Sequence, residues 1–268
     1  MPKMPGVYTA KKKNGTIYYR ASLTYRAKHI SLGSYDNMET AHAAYLLASH
    51  IVSNSKTGIY NYDEHSPLLF EKWVSLINFR DNGIYFANPI YIRPSFFYYY
   101  FSPSDFFIFD SDDLFYYSSH KISCRGGHYF VADYGMQVNI MNRYGIKNYA
   151  VPNKDYRFIN GNPNDFRYEN IEILNSFNGV SSFYRKGKQY YRAKIHIKGN
   201  YTIGVYDTET KAAIAYNKAI DILKKAGVQK AFTPNYMEGL SPSDYADIYS
   251  SVKISPKILN YASNPKRN

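Results

Sequence analysis

Two segments of the chain alternate between apolar and polar positions, and a helical pattern follows each of them. Residues 18–25 read YYRASLTY and residues 190–198 read YYRAKIHIK, so alternate side chains point to opposite faces of a strand. Small residues then recur at helical spacing in 39–48 and 210–219. Both segments therefore predict strands covered by an Ala-rich helix.

The two segments are copies of one unit, because residues 18–51 align with residues 190–223 with one small gap. In each copy a strand beginning with YYRA precedes a short turn, a second strand and the helix. Asn37 and Thr208 are placed to cap the two helices. The repeat predicts two small sheet-and-helix domains on either side of a central segment.

Alternation gives each predicted sheet an apolar face toward its helix, where Ala21, Leu23, Ala193 and Ile195 point, and a polar face on the other side. Cationic and aromatic side chains on such a face suit the major groove, where Arg and Lys reach guanine edges and phosphates. The candidate nucleic-acid-binding residues of the first copy are Tyr18, Arg20, Ser22, Thr24 and Arg26. Those of the second copy are Arg185, Lys186, Lys188, Tyr190, Arg192, Lys194, His196 and Lys198.

Short motifs make this pattern more specific. They are GVY (6–8), YYRA (18–21), LGSYD (32–36) and ETAHAAYLLA (39–48) in the first copy, and YYRAKI (190–195), IGVYD (203–207) and TKAAIAYNKA (210–219) in the second. On these residues both copies resemble the apetala-type, or ethylene-response-factor, DNA-binding domain, in which the sheet reads DNA. Tyr19 and Tyr191 depart from the family, which usually has Trp there. Because Lys194 and His196 replace the Ser and Thr of the first copy, we expect the second copy to bind more strongly.

The segment between the copies contains a second motif, in residues 156–174, YRFINGNPNDFRYENIEIL. The segment resembles the HNH nucleases, in the form found in homing endonucleases that also contain apetala-type domains. The resemblance rests on residues 159–162, followed by Asp165, Arg167 and Asn170. The resemblance implies a site with one divalent metal and a neutral His that activates water.

The positions on which that chemistry depends differ from the family. Arg157 stands where the family has its metal-binding Asp, and Phe158 stands where it has the general-base His. Phe166 and Asn142 replace an Asn and a His, and Asn170 alone cannot hold Mg²⁺. Arg157 opposes a cation and suits a phosphate, so we expect no catalysis, no metal and no cofactor. We assign three Arg residues of this segment to nucleic-acid binding: Arg143, Arg157 and Arg167.

Acidic and imidazole side chains elsewhere in this segment are candidates to rebuild a site: Asp110, Asp112, Asp113, His120 and His128. Spacing alone does not bring them together, and we interpret His128 as a strand residue. Residues 84–101 predict aromatic β structure that forms a core, and 61–80 predict a short helix. A further short helix is predicted at 241–252, in a peripheral tail.

These patterns predict an α+β protein: two small three-stranded-sheet-plus-helix domains flanking a degenerate ββα-metal domain. The predicted boundaries are 1–55 for the first apetala-type domain, 56–103 for a connector, 104–176 for the HNH-like domain, 177–229 for the second apetala-type domain and 230–268 for the tail.

Composition and charge then narrow the partner. Lys and Arg number 33 against 21 Asp and Glu, a net charge of +12 that favours a polyanion. The single Cys124 excludes an intramolecular disulfide framework, and we expect it to be buried. The N-terminal residues lack the apolar segment of a secretory signal, and the most apolar run, 95–109, is too interrupted to span a bilayer. We therefore expect an intracellular protein without a membrane partner.

Together these observations predict a non-catalytic nucleic-acid-binding protein, with duplex DNA as the favoured partner and RNA as the alternative. A second hypothesis is a structural component of a virion or ribonucleoprotein particle, in which basic and aromatic surfaces contact RNA or protein neighbours. A third is an active metal-dependent nuclease.

Overall fold

The computed structural model describes residues 4–148 and 150–263. Within these residues the fold is α+β, as predicted, with four antiparallel three-stranded sheets, one two-stranded sheet and short helices. The chain divides into two compact units. The described residues up to Ile140, together with Phe158–Ile171, form the first unit, and Met141–Arg157 with the described residues from Glu172 onward form the second.

The first repeat begins the first unit. Its sheet and helix are β1 (Val7–Lys11), β2 (Ile17–Tyr25), β3 (Lys28–Tyr35) and α1 (Met38–Ser53). Ala21 and Leu23 are buried against the small residues of α1, as alternation predicts. The Asn37 side chain accepts a hydrogen bond from the Thr40 backbone N–H at 2.7 Å, which confirms the predicted cap.

The rest of this unit contains the predicted helix and an aromatic sheet. The elements are α2 (Phe70–Asn82), β4 (Ile90–Ile92), β5 (Phe96–Tyr100), β6 (Phe106–Asp110), α3 (Leu114–Ser119), β7 (Ile122–Arg125), β8 (His128–Asp133) and β9 (Met136–Asn139). Phe97 and Phe109 are fully buried, which confirms that these rings form a core. The boundary predicted between 103 and 104 falls in the turn between the paired strands β5 and β6.

Cys124 lies in β7 and is exposed, so the prediction that it is buried was wrong. Ile122 at the start of β7 is buried, whereas the remaining three residues of the strand are exposed. The strand therefore leaves the core after its first residue. His128 lies at the start of β8, as predicted.

The chain passes between the two units at three places in the HNH-like segment. These places lie within α4 (Ile140–Arg143), β10 (Tyr156–Phe158) and β11 (Ile171–Ile173). β10 and β11 pair as the two-stranded sheet. The residues predicted as one domain, 104–176, are thus shared between the two units.

The second unit contains the second repeat and the C-terminal helices. Its remaining elements are β12 (Val180–Arg185), β13 (Lys188–His196), β14 (Asn200–Tyr206), α5 (Glu209–Lys225), α6 (Pro242–Ser251) and α7 (Pro256–Ser263). Ala193 and Ile195 are buried in the core that α5 covers, and the Thr208 side chain caps α5 through the Lys211 backbone N–H. Both predictions are confirmed.

A matching pair of glycines allows each sheet to approach its helix. Gly6 has φ +73°, and a Cβ atom there would lie 2.0 Å from the Tyr45 ring; Gly179 has φ +70°, and a Cβ atom would lie 2.4 Å from the Tyr216 ring. Only a residue without a side chain fits both constraints. The pairing of Gly179 with Gly6 was not predicted, because the repeat had been aligned only from residue 18 onward.

The tail is part of the core of the second unit, so the prediction that it is peripheral was wrong. Ile258 and Tyr261 of α7 are buried with the second repeat, and the Tyr206 hydroxyl donates to the Lys253 carbonyl at 2.7 Å. The helix predicted at 241–252 is present as α6. The apolar spacing of α7 was the signal for its burial. Within the described segments, no helix is long and apolar enough to cross a bilayer.

Candidate nucleic-acid interface

Strand β13 alternates between buried and exposed side chains. Ala193 and Ile195 are buried, whereas Lys194 and His196 are exposed, and exposed Lys198 continues the pattern past the strand end. Because alternate residues share a face of a strand, these cations lie in one row on the side away from α5. The predicted division of this sheet into an apolar and a cationic face is confirmed.

Aromatic rings support the cations of this face. The Arg192 guanidinium lies 4.6 Å from the centroid of the Phe183 ring, and the Lys188 ammonium lies 5.7 Å from that of Tyr190. Phe183 and Tyr190 are directly opposite each other in β12 and β13, with centroids 6.1 Å apart. A cation held over a ring keeps its charge available to solvent. Phe183 was not predicted, although alternation along β12 would have assigned it to this face.

The hairpin between β12 and β13 extends the positive surface. Arg185 pairs directly with Lys188, and Lys186 and Gly187 form the two-residue turn with φ of +52° and +74°. The side chains of Arg185, Lys186 and Lys188 are all exposed. Residues 185–198 contain no Asp or Glu, so no carboxylate within this segment compensates its charge.

Ser22 was predicted on the exposed face of the first sheet, and this prediction was wrong. The pairing of β2 with β3 shifts between Ala21 and Ser22, and Ser22 is only 8% exposed. The second sheet has its shift at the same point, between Ala193 and Lys194, but the longer Lys194 side chain reaches solvent. Length of the side chain therefore decides which copy presents a polar group here.

Arg26 contacts a helix end. Its Nη1 donates to the Phe79 carbonyl at 3.2 Å in the last turn of α2, and its guanidinium lies 5.2 Å from the Tyr25 ring centroid. A cation at a helix C-terminus is favourable. Arg20 and Thr24 remain exposed and Tyr18 is half-buried. The first face thus presents fewer cations than the second.

Polar residues of the HNH-like motif form a closed network within the first unit, in which they hydrogen-bond to one another. Asp165 is 1% exposed; Arg167 donates to its two carboxylate oxygens at 2.9 and 2.7 Å, and Asn160 donates at 2.8 Å. The Asn170 amide donates to the Asp165 carbonyl and accepts from the Asn160 backbone N–H, each at 2.8 Å. Both ends of the Asn170 amide are therefore used in hydrogen bonds within the motif.

Electrostatics of this network favour the ionised pair. Burial alone would raise the pKa of Asp165, but hydrogen bonds from the Arg167 side chain and backbone and from Asn160 lower that pKa below its ordinary value. The same carboxylate raises the pKa of Arg167. Arg167 also contacts Glu169 at 3.3 Å. Arg167 was predicted to contact nucleic acid, but its positive charge is balanced by the carboxylates of Asp165 and Glu169.

Aromatic packing occupies two of the substituted motif positions. The Phe158 and Phe166 ring centroids are 5.7 Å apart, and Phe166 is buried against Phe107 and Phe109 at 5.0 and 5.6 Å. These rings form a continuous apolar cluster with the core of the aromatic sheet. Neither ring can accept a proton or bind a cation through a lone pair.

The remaining substituted positions lie in the second unit. The Arg157 Nε donates to Glu172 at 2.5 Å, so the predicted fixed charge has an acidic partner. Asn142 and Arg143 are exposed on α4. The motif positions are therefore split: Phe158, Phe166 and Asn170 belong to the first unit, and Asn142 and Arg157 belong to the second.

The acidic residues before α3 have structural partners in the first unit. Asp110 accepts the Tyr168 backbone N–H at 2.7 Å, and Asp113 accepts the Tyr168 hydroxyl at 3.2 Å. His120 lies 3.6 Å from Asp133 and stacks on Tyr116. In the described part of the chain, no three His, Cys, Asp or Glu residues are grouped to hold a metal ion.

Comparison with models of known protein families, with curated proteins and with solved structures gives no match. The class that the geometry defines is therefore a broad one, an α+β protein with a cationic, ring-supported sheet face.

Proposed function

We propose that this protein binds nucleic acid without cutting it, with duplex DNA as the favoured partner, and that it derives from an HNH homing-endonuclease architecture with two apetala-type domains. The second sheet is the principal reader and the first sheet is a weaker one. The observation that carries the proposal is the row of Arg192, Lys194 and His196 on the exposed face of β13.

Several features support binding at that face. Its cations are spaced along one strand, as phosphate and base contacts along a groove require. The Phe183 ring holds Arg192 from behind, which reduces the conformational entropy lost when the guanidinium binds. The first face presents Arg20 alone at the comparable positions, because Ser22 is buried and Arg26 contacts α2.

The absence of catalysis is supported by the motif residues themselves. Phe158 and Phe166 supply apolar packing where the resemblance requires a base and a polar side chain. The Asp165 carboxylate is bound by Arg167 and Asn160, and the Asn170 amide donates to the Asp165 backbone carbonyl. A metal-dependent nuclease needs an open carboxylate and a proton acceptor beside the scissile phosphate, and this network offers neither.

The test measures duplex affinity against salt, with Mg²⁺ or with a chelator, and examines the DNA for cleavage. Affinity should fall steeply as salt rises, since neutralised phosphates release counterions. The pair Arg192→Ala with Lys194→Ala should weaken binding about tenfold or more, and Arg20→Ala should weaken it less. Wild-type affinity in the double variant would exclude the second sheet as the reader, and Mg²⁺-dependent cleavage would exclude a non-catalytic protein.

A second candidate function is a structural role in a particle, and exposed aromatic residues of the first unit favour it. Phe115 is 87% exposed and Tyr134 is 96% exposed, and apolar groups left in water often mark protein contacts. Comparing duplex DNA with structured RNA at one salt concentration separates the two functions. Equal and weak binding to both would favour the assembly component.

A further inference from the structure

A large pocket lies within the second unit, beside the end of strand β13. It is lined by residues of the 142–148 and 150–156 segments, the start of β12, residues 194–196 of β13 and the residues 230–233 that follow α5. Its volume is about 1040 Å³, which is at the upper end of the range for small-molecule pockets. The pocket shares Lys194 and His196 with the exposed face of β13 and extends beyond that face, because it also contains Ile195 and Tyr216 from the side of the sheet that α5 covers.

The side chains around this pocket are strongly cationic. They include four lysines, Lys147, Lys154, Lys194 and Lys230. Among the residues that the structure describes, Lys147, Lys154 and Lys194 form no ion pair. Like charges gathered around one pocket repel one another, and an anion within it relieves that repulsion.

The acidic side chains near these cations already have partners. Asp155 is the carboxylate of the lining; it accepts the Val151 backbone N–H at 2.8 Å and the Asn175 amide at 3.1 Å. Glu209 accepts the Ser176 backbone N–H at 3.1 Å. These hydrogen bonds fix the two carboxylates but leave them charged. Four lysines line the pocket against the single carboxylate of Asp155, so positive charge is in excess there.

Two of the lysines are paired with aromatic rings. The Lys147 ammonium lies 5.4 Å from the Phe177 ring centroid, and burial lowers its pKa while Glu209 acts in the opposite direction. Lys230 donates to the His196 carbonyl at 2.9 Å and lies 5.9 Å from the Phe232 centroid. The pocket therefore combines fixed amines with flat apolar surfaces. That combination suits a ligand that carries both an anionic group and an aromatic ring.

Backbone groups at the end of β13 lie on the same side as Gly179, which also lines the pocket. The Lys194 backbone N–H donates to the Gly179 carbonyl across the edge away from β14. Because backbone groups of alternate residues point to the same edge of a strand, the N–H of His196 points that way too. The His196 carbonyl, bound by Lys230, faces the same side.

We propose that this pocket binds a nucleotide through its phosphate monoester, with the amines of Lys147 and Lys230 on the phosphate side and the rings of Phe177 and Phe232 beside the base. The ligand is either a free nucleotide or the phosphorylated end of a strand, and both present the same chemistry. The neighbouring groove beside Arg192 has a smaller excess of positive charge, because Lys154 and Arg192 line it together with Glu172. The site does not require that the protein bind duplex DNA.

The test titrates the full-length protein, by calorimetry at low salt, with adenosine 5′-monophosphate, adenosine and inorganic phosphate. The monophosphate should bind at least about tenfold more tightly than adenosine or inorganic phosphate, because only the monophosphate engages both the amines and the rings. Lys147→Gln and, separately, Lys230→Gln should each weaken it about tenfold. Lys224→Gln, at an exposed position of α5 outside the pocket, is the matched control and should leave monophosphate binding unchanged. Thermal unfolding without ligand verifies that each variant is folded.

Single-stranded oligonucleotides with a 5′-phosphate or a 5′-hydroxyl distinguish the two sources of the ligand. A preference for the phosphorylated strand, lost in Lys147→Gln, assigns the pocket to a strand end; tight monophosphate binding without that preference assigns it to a free nucleotide. Equal affinity for monophosphate and inorganic phosphate, or retention of affinity in both lysine variants, would overturn the proposal. Monophosphate binding by a protein that does not bind duplex DNA would overturn the proposed function and leave the pocket proposal intact, whereas duplex binding without monophosphate binding would overturn the pocket proposal alone.

Discussion

The loop 159–170 and the exposed face of β13 are both rich in polar and charged side chains, but they use them in opposite ways. In the loop, Asp165 is buried and receives hydrogen bonds from Arg167 and Asn160. On the strand, Lys194 and His196 point to solvent, in a segment without acidic residues. The availability of partners, more than polar density, therefore separates a structural network from a surface that can bind a ligand.

The largest effect is expected from breaking the closed network. Asp165→Ala removes the acceptor of Arg167 and Asn160 and leaves their donors without it, which should lower the free energy of unfolding by about 3 kcal/mol. Urea unfolding measures the change. Glu169→Gln is the matched control, because the Glu169 side chain is 75% exposed and contacts the same Arg167; it should change stability by less than about 0.5 kcal/mol. Equal losses in the two variants would contradict the contrast between loop and strand.

A smaller effect of the same kind is expected from pH. The folded-state pKa of Asp165 is lowered, so its contribution to stability is present above the pKa of the unfolded chain and is lost as pH falls through the folded-state value. Protonation leaves the side chain in place, so the loss should be smaller than in Asp165→Ala. Over a series of acidic pH values, the free energy of unfolding should decline more steeply as pH falls for the wild-type protein than for Asp165→Ala. Parallel curves would show that the carboxylate charge does not stabilise the network.

Much of the repeat was predictable because its signals are local. Alternation in β2 and β13 and the helix caps Asn37 and Thr208 each depend on neighbouring residues, and the structure confirms them. Ser22 was mispredicted because strict alternation takes no account of a shift in pairing between strands. A bulge depends on the partner strand, which a single strand's sequence does not reveal.

The central segment was harder to predict because its contacts join distant parts of the chain. The bond between Tyr168 and Asp110 spans residues 58 apart in sequence, and the ring contacts of Phe166 depend on strand β6. Spacing identifies Asp165 and Asn170 as motif residues, but it does not show which groups bind their side chains. The tail was misjudged for the same reason, since Ile258 is buried by residues of the second repeat.

The smallest effect on stability is expected at the hairpin of the second sheet, where binding should nevertheless change. Arg185 and Lys188 are exposed and directly opposite each other, and like charges in that arrangement are mildly destabilising. Replacing both with Gln should therefore leave the free energy of unfolding within about 0.5 kcal/mol, or raise it slightly. If both cations contact phosphates, duplex affinity should fall and the slope of log affinity against log salt should decrease by about two.

The control variant removes the same amount of charge elsewhere in the second unit. It combines Lys224→Gln in α5 with Lys257→Gln in α7, and both side chains are exposed. An equal change of slope in the control would mean that net charge attracts the DNA, whereas a change confined to the hairpin variant would identify this sheet as the contact surface.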